Sequence, residues 1–492
     1  MRARCVALFD GALYAMKRGA RGGQNPPPTP SPMVPGVSWA CLLVVLVAAT
    51  ACSPTTAKVL PTRVSQTAVA VMPAAPTDTP APTNTPAPTP TATEFPTPVP
   101  PPPMALNTEQ VDRQAQEVMQ ATAKIRGLKA KHQVTRHFLS PAQLKYLLTQ
   151  RTLAEYTRDE ARRDVRRLWL LMFIDDPTMD FRALEVEFAG QAILGFYDPA
   201  KKELFVRTDQ PTLSPMSRET LAHEFVHSLQ DQHYDLQNLL REDVDEDRSL
   251  AIRALVEGDA TISGLLYVYH NMDANEWRKL FKNTSEAQVA PAVPTRAPVY
   301  LQEAWKFPYT YGSDFVLALA QPGEYAPVNR AFTDPPKSTE QIMHPEKYTH
   351  TPRDEPLPVQ LPDLAPVLGS GWQMVETDTL GEFHLMIMLM ENYVDRPEAA
   401  EGWGGARYAL YENGDEALVV MGSRWDTPAD LAEFEEALTS SFKLFQRFDP
   451  YEPVWHDTKG RVWGLKRSGD QLMFVSGTDA DVVRKVMTSL AP

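Results

Sequence analysis

Apolar residues recur at three- and four-residue spacing along several stretches of the chain, and that spacing predicts amphipathic helices. The first is LNTEQVDRQAQEVMQATAKI, beginning near residue 106, and a longer one runs through RDEARRDVRRLWLLMFI. Between them LKAKHQVTRHFL alternates like a strand, and Ser140-Pro141 supplies an N-cap with a proline at the first helical position. QAILGFYDPAKKELFVR reads as two short strands joined by the turn Asp198-Pro199-Ala200-Lys201. A helix carrying HEFVH follows a cap at Ser214 or Ser217, and another helix, over about 247–270, contains RALVEGDATISGLL. Beyond a proline-rich segment around 291–298, helical runs are predicted near 312–320, 379–391, 428–446 and 479–490. Thr379 and Glu382 have the spacing of a capping box for the second of these. YALYENGDEALVVM and RVWGLKRSGDQLMFV each read as a strand pair around a glycine-containing turn. No segment repeats at a fixed period. Together these elements predict a mixed α+β fold.

The first hundred residues have no such pattern. Residues 39–51, WACLLVVLVAATA, form the only long apolar run, and it is short of the roughly 20 residues that a bilayer span needs. With five basic side chains and a single acid in residues 1–52, it reads as the apolar region of a secretory signal. Its end, Ala49-Thr50-Ala51-Cys52-Ser53, resembles a bacterial lipobox, which implies lipidation of Cys52 and a membrane anchor. Ala49 replaces the usual leucine, so ordinary signal cleavage nearby is the alternative, and Met33 is a second candidate start. Either way the body is expected outside the cytoplasm. Residues 53–105 are dominated by proline, threonine and alanine, which bury little and favour extended polyproline II. At up to about 3.1 Å per residue this spacer spans more than 100 Å. The domain expectation is therefore a signal over 1–52, a linker over 53–105, a core over 106–350, and an α+β region over 351–492 packed on that core.

Charge and cysteine content exclude some functions. Past residue 52 the chain holds 43 basic and 61 acidic residues, a formal charge of −18, which argues against nucleic acid as a partner. The three cysteines, Cys5, Cys41 and Cys52, all precede the body, so no disulfide framework holds it.

The candidate chemistry lies in LAHEFVHSLQDQH, residues 221–233. On a helix, residues four apart are separated by about 40° and roughly 6 Å, so the imidazoles of His223 and His227 can converge on one ion. Glu224, next to the first of them, can reach a water rather than the metal. This HExxH arrangement is that of zinc peptidases, with two ligands and one base. His233 has the spacing of a third ligand in HExxHxxGxxH sites, but Gln230 stands where that pattern needs a chain-breaking glycine. If the helix continues, His233 lies about 240° round the axis from His227 and faces away. Glu257, on the next helix among the small residues Ala254, Gly258 and Ala260, is the alternative third ligand. Two histidines and a glutamate leave a position open for water, as a catalytic Zn2+ site requires.

HEFVH followed by ALVEGDA resembles the gluzincin group of zinc peptidases. More narrowly, the chain resembles bacterial exported or lipoprotein peptidase-MA-like proteins, through GFYDP at 195–199 and PPKSTEQIMHPEKY at 335–348. The likeness covers most of 120–350. It implies a zincin-like core, a peptide or protein substrate, Zn2+ as cofactor, and Glu257 as third ligand. For a donor to the developing oxyanion it points first to His344, with Tyr311 and Tyr309 of FPYTYG as the other candidates. Asp231 and Asp259 are candidates to hold a ligand imidazole from behind. In zincin folds an edge strand pairs with substrate, and 203–207 or 191–197 occupies that place. The C-terminal part offers no second constellation. Ala406 stands where an acid is expected after two glycines, and Trp403, Trp425 and Trp463 read as aromatic core. The competing expectation is a cell-surface binding protein that uses the same residues as a structural metal clamp.

Overall fold

The computed structural model describes residues 108–490, apart from 209, 242–243, 283–292, 321–323, 443–444 and 448–452. The apolar run, the lipobox-like end and the proline-rich spacer lie outside the described residues. Among those described, no helix is long and apolar enough to cross a membrane.

The architecture is mixed α+β. Helix α1 (Thr108–Arg126) leads into strand β1 (Thr135–Leu139) and helices α2 (Pro141–Glu155), α3 (Arg158–Leu170) and α4 (Phe181–Ala192). Strands β2 (Gly195–Asp198) and β3 (Glu203–Arg207) precede helices α5 (Pro215–Tyr234), α6 (Glu246–Asn271) and α7 (Val299–Leu319). The C-terminal part comprises β4 (Gln373–Thr379), α8 (Glu382–Glu391), β5 (Trp403–Asn413), β6 (Glu416–Trp425), α9 (Pro428–Phe442), β7 (Gln446–Arg447), β8 (Val454–His456), β9 (Val462–Ser468), β10 (Gln471–Gly477) and α10 (Ala480–Ser489). Short helical turns fill the connections.

Local chemistry accounts for most boundaries. Ser140 accepts the amide of Gln143, whose side chain returns to the Ser140 amide, while Pro141 takes the first helical position. Helix α3 stops before the apolar run does. The amides of Met172 and Phe173 close back on the carbonyls of Trp169 and Leu168, with Met172 left-handed at φ 62°. That is a Schellman ending, and it turns the whole run LWLLMFI into the core. Three sequence expectations shift. QAIL completes α4 and its turn rather than starting a strand. The helix expected at 312–320 begins at Val299 and carries Pro308 inside it. Thr379 ends β4, and α8 is capped instead by Gly381, whose amide donates to Nδ1 of His384 at 3.1 Å.

Two sheets result. The small one has the order β1-β3-β2, with β1 parallel and β2 antiparallel to β3. The large one has seven strands in the order β4-β5-β6-β10-β9-β8-β7. Alternation divides its faces: Val419 and Met421 enter the main core, whereas Leu418 and Val420 meet Val483 and Val486 of α10. One buried cluster extends from Ala161 in α3 to Phe474 in β10, so the large sheet and the helical part share a core across residue 350.

That shared core holds α6 at its N-terminal end. Asp378 of β4 accepts the Glu246 amide at 3.0 Å, and Thr339 donates to Asp247 at 2.5 Å. Arg167 of α3 ties Glu246 to Glu376 and to the Tyr408 hydroxyl at 3.2, 2.9 and 2.9 Å. Further along, α6 and α7 touch backbone to backbone. A Cβ on Gly258 would stand 2.2 Å from the Gly312 carbonyl, and one on Gly312 would stand 2.0 Å from the Ala254 carbonyl. Only glycine fits at this crossing.

Candidate metal centre

Helix α5 starts at Pro215 under a cap from Ser214, which accepts the Ser217 amide at 3.1 Å. Its middle is buried on nearly all sides, between the small sheet and α6. His223 and His227 leave the same face one turn apart, and α6 brings Glu257 across to them. Nε2 of His223 and Nε2 of His227 are 3.1 Å apart, and the Glu257 carboxylate lies 3.2 and 3.4 Å from them. All three ligand atoms fall within 4.8 Å of one another.

This donor set fits a zinc ion. Bonds of 2.0–2.1 Å in a tetrahedron put ligand atoms about 3.3–3.4 Å apart, which is the spacing seen here. Two imidazoles and one carboxylate leave the fourth corner free. The side chains retain 14 %, 9 % and 24 % of their exposure, so that corner communicates with solvent. The close pairing also shifts the protons. Imidazole neighbours hold the Glu257 carboxyl far below its usual range, and the Glu257 charge is the main influence raising His227, to about 9 against the pull of burial.

Glu224 is buried beside the pair. Burial raises its carboxyl above the ordinary value, opposed by the two imidazoles and by the Tyr197 amide of β2, which donates to it. Gly195 permits that approach, because a Cβ there would lie 2.7 Å from the Phe205 carbonyl and 3.2 Å from the Glu224 side chain. Tyr309 of α7 completes the group. Its ring stacks 6.3 Å from that of His223, and its hydroxyl bonds the Glu257 carboxylate.

Behind His227 runs a chain of polar groups. Its Nδ1 donates to the Gln230 side-chain oxygen at 2.9 Å. The Gln230 amide nitrogen donates in turn to the Val256 carbonyl at 3.0 Å and to Asp259 at 2.8 Å. Those two acceptors fix which end of the amide faces His227. With the proton on Nδ1, Nε2 presents its lone pair to the centre. Asp259 is balanced by Arg126 at 2.6 Å, a pair with no side-chain exposure. Replacing Gln230 by alanine is expected to weaken metal binding by about 10–100-fold, read by titration against a chelating dye.

The C-terminal residues 370–487 match a family model described as a domain of unknown function (DUF8575). No curated protein and no solved structure matches the chain. The matched stretch holds all seven strands of the large sheet together with Glu376, Asp378 and Tyr408, which help to anchor the start of α6.

The other sequence candidates divide. His233 faces away from the centre and meets the Lys129 carbonyl at 2.8 Å, as an unbroken helix requires. Asp231 does not support an imidazole; it accepts from the Tyr197 hydroxyl and from Lys202, each at 2.7 Å. Asp259 acts on His227 only through Gln230. His344, the first choice for oxyanion donor, has its Nε2 bonded to Glu382 at 2.8 Å. Its neighbour Thr339 is tied to Asp247, about ten residues and 15 Å along α6 from Glu257. Tyr311 is engaged elsewhere. It stacks on Phe307 at 4.9 Å, and burial pushes its hydroxyl up to about 12. Tyr309, two residues earlier, takes the position expected of either. The strand 203–207 lies in the middle of its sheet, so the edge beside the centre belongs to β2. Trp403, Trp425, Trp463 and Ala406 are buried in the core. A second acidic convergence, Glu340, Asp354 and Asp426, is filled by the Lys347 ammonium at 2.5, 3.0 and 2.7 Å.

Proposed function

We propose that this protein is a zinc-dependent peptidase on a zincin-like core, exported and held at the cell surface through Cys52. The observation that carries this reading is the convergence of His223, His227 and Glu257 at tetrahedral spacing, with Glu224 buried beside the open corner. His223, His227 and Glu257 would hold the ion, which supplies Lewis acidity to a water and a peptide carbonyl.

The protein's own groups do the rest. Glu224, with its carboxyl raised by burial, takes the proton from the attacking water and returns it to the leaving amine. The Tyr197 amide fixes the direction of that carboxylate. Tyr309 is the donor nearest the centre for a carbonyl oxygen that gains charge. Gln230, Asp259 and Arg126 keep the His227 ring in one tautomer and one orientation.

The reading is tested by hydrolysis of casein and of a peptide library by the purified body. Activity is expected to vanish on chelation and to return with added zinc. A protein that unfolds on chelation and cleaves no peptide when loaded would instead be a structural clamp.

A further inference from the structure

A 680 Å³ cleft is walled by α2, α3 and α4 on one side and by α6 and α7 on the other, and its lining repeats at helical spacing on the last two. Ser249, Leu250 and Arg253 face it from α6; Leu301, Ala304 and Trp305 face it from α7. The next step of four along each helix reaches Glu257 and Tyr309. Arg253 and Trp305 in the cleft lining are thus each one helical turn from a residue of the metal centre.

Arg253 is exposed on a helix whose neighbouring side chains are buried, and among the described residues its guanidinium forms no ion pair within 4 Å. Its charge is felt at both Tyr309 and Glu185. Glu185, another acid of the cleft lining, makes no ion pair with it within 4 Å, and burial raises that carboxyl to about 7. Arg167, by contrast, is fully engaged by Asp164, Glu246 and Glu376. Trp305, stacked face to face on Phe188 at 4.2 Å, provides a flat apolar wall beside the free cation.

We propose that Arg253 and the α6–α7 cleft form the subsite that selects substrate, by pairing with a carboxylate close to the scissile bond. The proposal rests on the peptidase reading of the neighbouring centre. One helical turn, about 5.4 Å, is close to the span of two extended residues, so the carboxylate belongs within about two positions of the cut bond. An acidic side chain and a free C-terminus offer the same group.

The test compares peptides carrying glutamate, glutamine or lysine within two positions of the cut, each as free acid and as C-terminal amide. Wild-type protein is expected to favour a carboxylate by about tenfold or more, in keeping with a charge-assisted bidentate contact. Loss on amidation identifies the C-terminus as the source, and loss with glutamine identifies the side chain. Arg253→Glu is expected to remove the preference and favour lysine, with zinc content measured to verify the centre. Equal turnover of all peptides by wild type, or an unchanged preference in Arg253→Glu, overturns the proposal. If wild type cleaves nothing, the peptidase reading fails by itself, and peptide binding to the zinc-loaded protein decides the subsite. Carboxylate-dependent binding lost in Arg253→Glu sustains it; binding indifferent to the carboxylate ends it.

Discussion

Glu224→Gln is expected to retain one zinc per chain and to lose peptide hydrolysis by a factor of roughly 10²–10⁴, the usual worth of a positioned general base. The amide has the size of the carboxylate and can still accept the Tyr197 amide, so neither β2 nor α5 has reason to move. Stability should not fall, because burial already disfavours the charged form at this position. Glutamine has no basic oxygen able to take a proton from water, and this is the only function removed. Metal analysis, thermal melting and a peptidase assay on the same sample separate these outcomes. A variant that cleaves at the normal rate removes Glu224 from the mechanism.

Glu257→Ala should lose stoichiometric zinc, whereas His233→Ala should keep it. Glu257 supplies one of three protein ligands and the only negative charge among them, so its loss should exceed the roughly 10–100-fold that an outer-shell change costs. His233 meets the Lys129 carbonyl, away from the centre. Competitive titration with a chelating dye distinguishes the two variants, and full zinc in Glu257→Ala with loss in His233→Ala would reverse the assignment. Removing the carboxylate also takes from His223 the hydrogen bond, and from His227 the charge, that most favours its protonation against burial.

Much of the centre was legible because it depends on helical spacing. His223, Glu224 and His227 are neighbours on a single helix, and nothing distant is needed to put them on one face. The same geometry turned His233 away once Gln230 was seen to continue the helix. Gln230 itself was read only as a missing glycine. Its partnership with His227 and Asp259 was invisible, since it joins two helices whose relative depth no local pattern states. The small residues around Glu257 stand out in the sequence, but not the neighbour that each one admits. Gly258 and Ala254 admit α7, whereas Gly264 lies over His223. The order among the oxyanion candidates was hidden for a similar reason. His344 belongs to a resemblance motif that anchors the start of α6, while Tyr309 and Tyr311 lie two residues apart on a helix, where opposite sides are presented.

By itself the sequence determined many of the helices and strand pairs, the α+β class, and the pairing of two imidazoles with an adjacent acid. These follow from spacing, caps and turn residues, which act over a few positions. Only the tertiary structure decided that Glu257 reaches those imidazoles, that Tyr309 rather than His344 or Tyr311 stands beside them, and that Arg253, in the lining of a cleft, has no ion pair among the described residues. Each of those depends on how closely α5, α6 and α7 pack. That packing is set by glycine crossings and by a core shared with the large sheet, contacts between residues far apart in the chain.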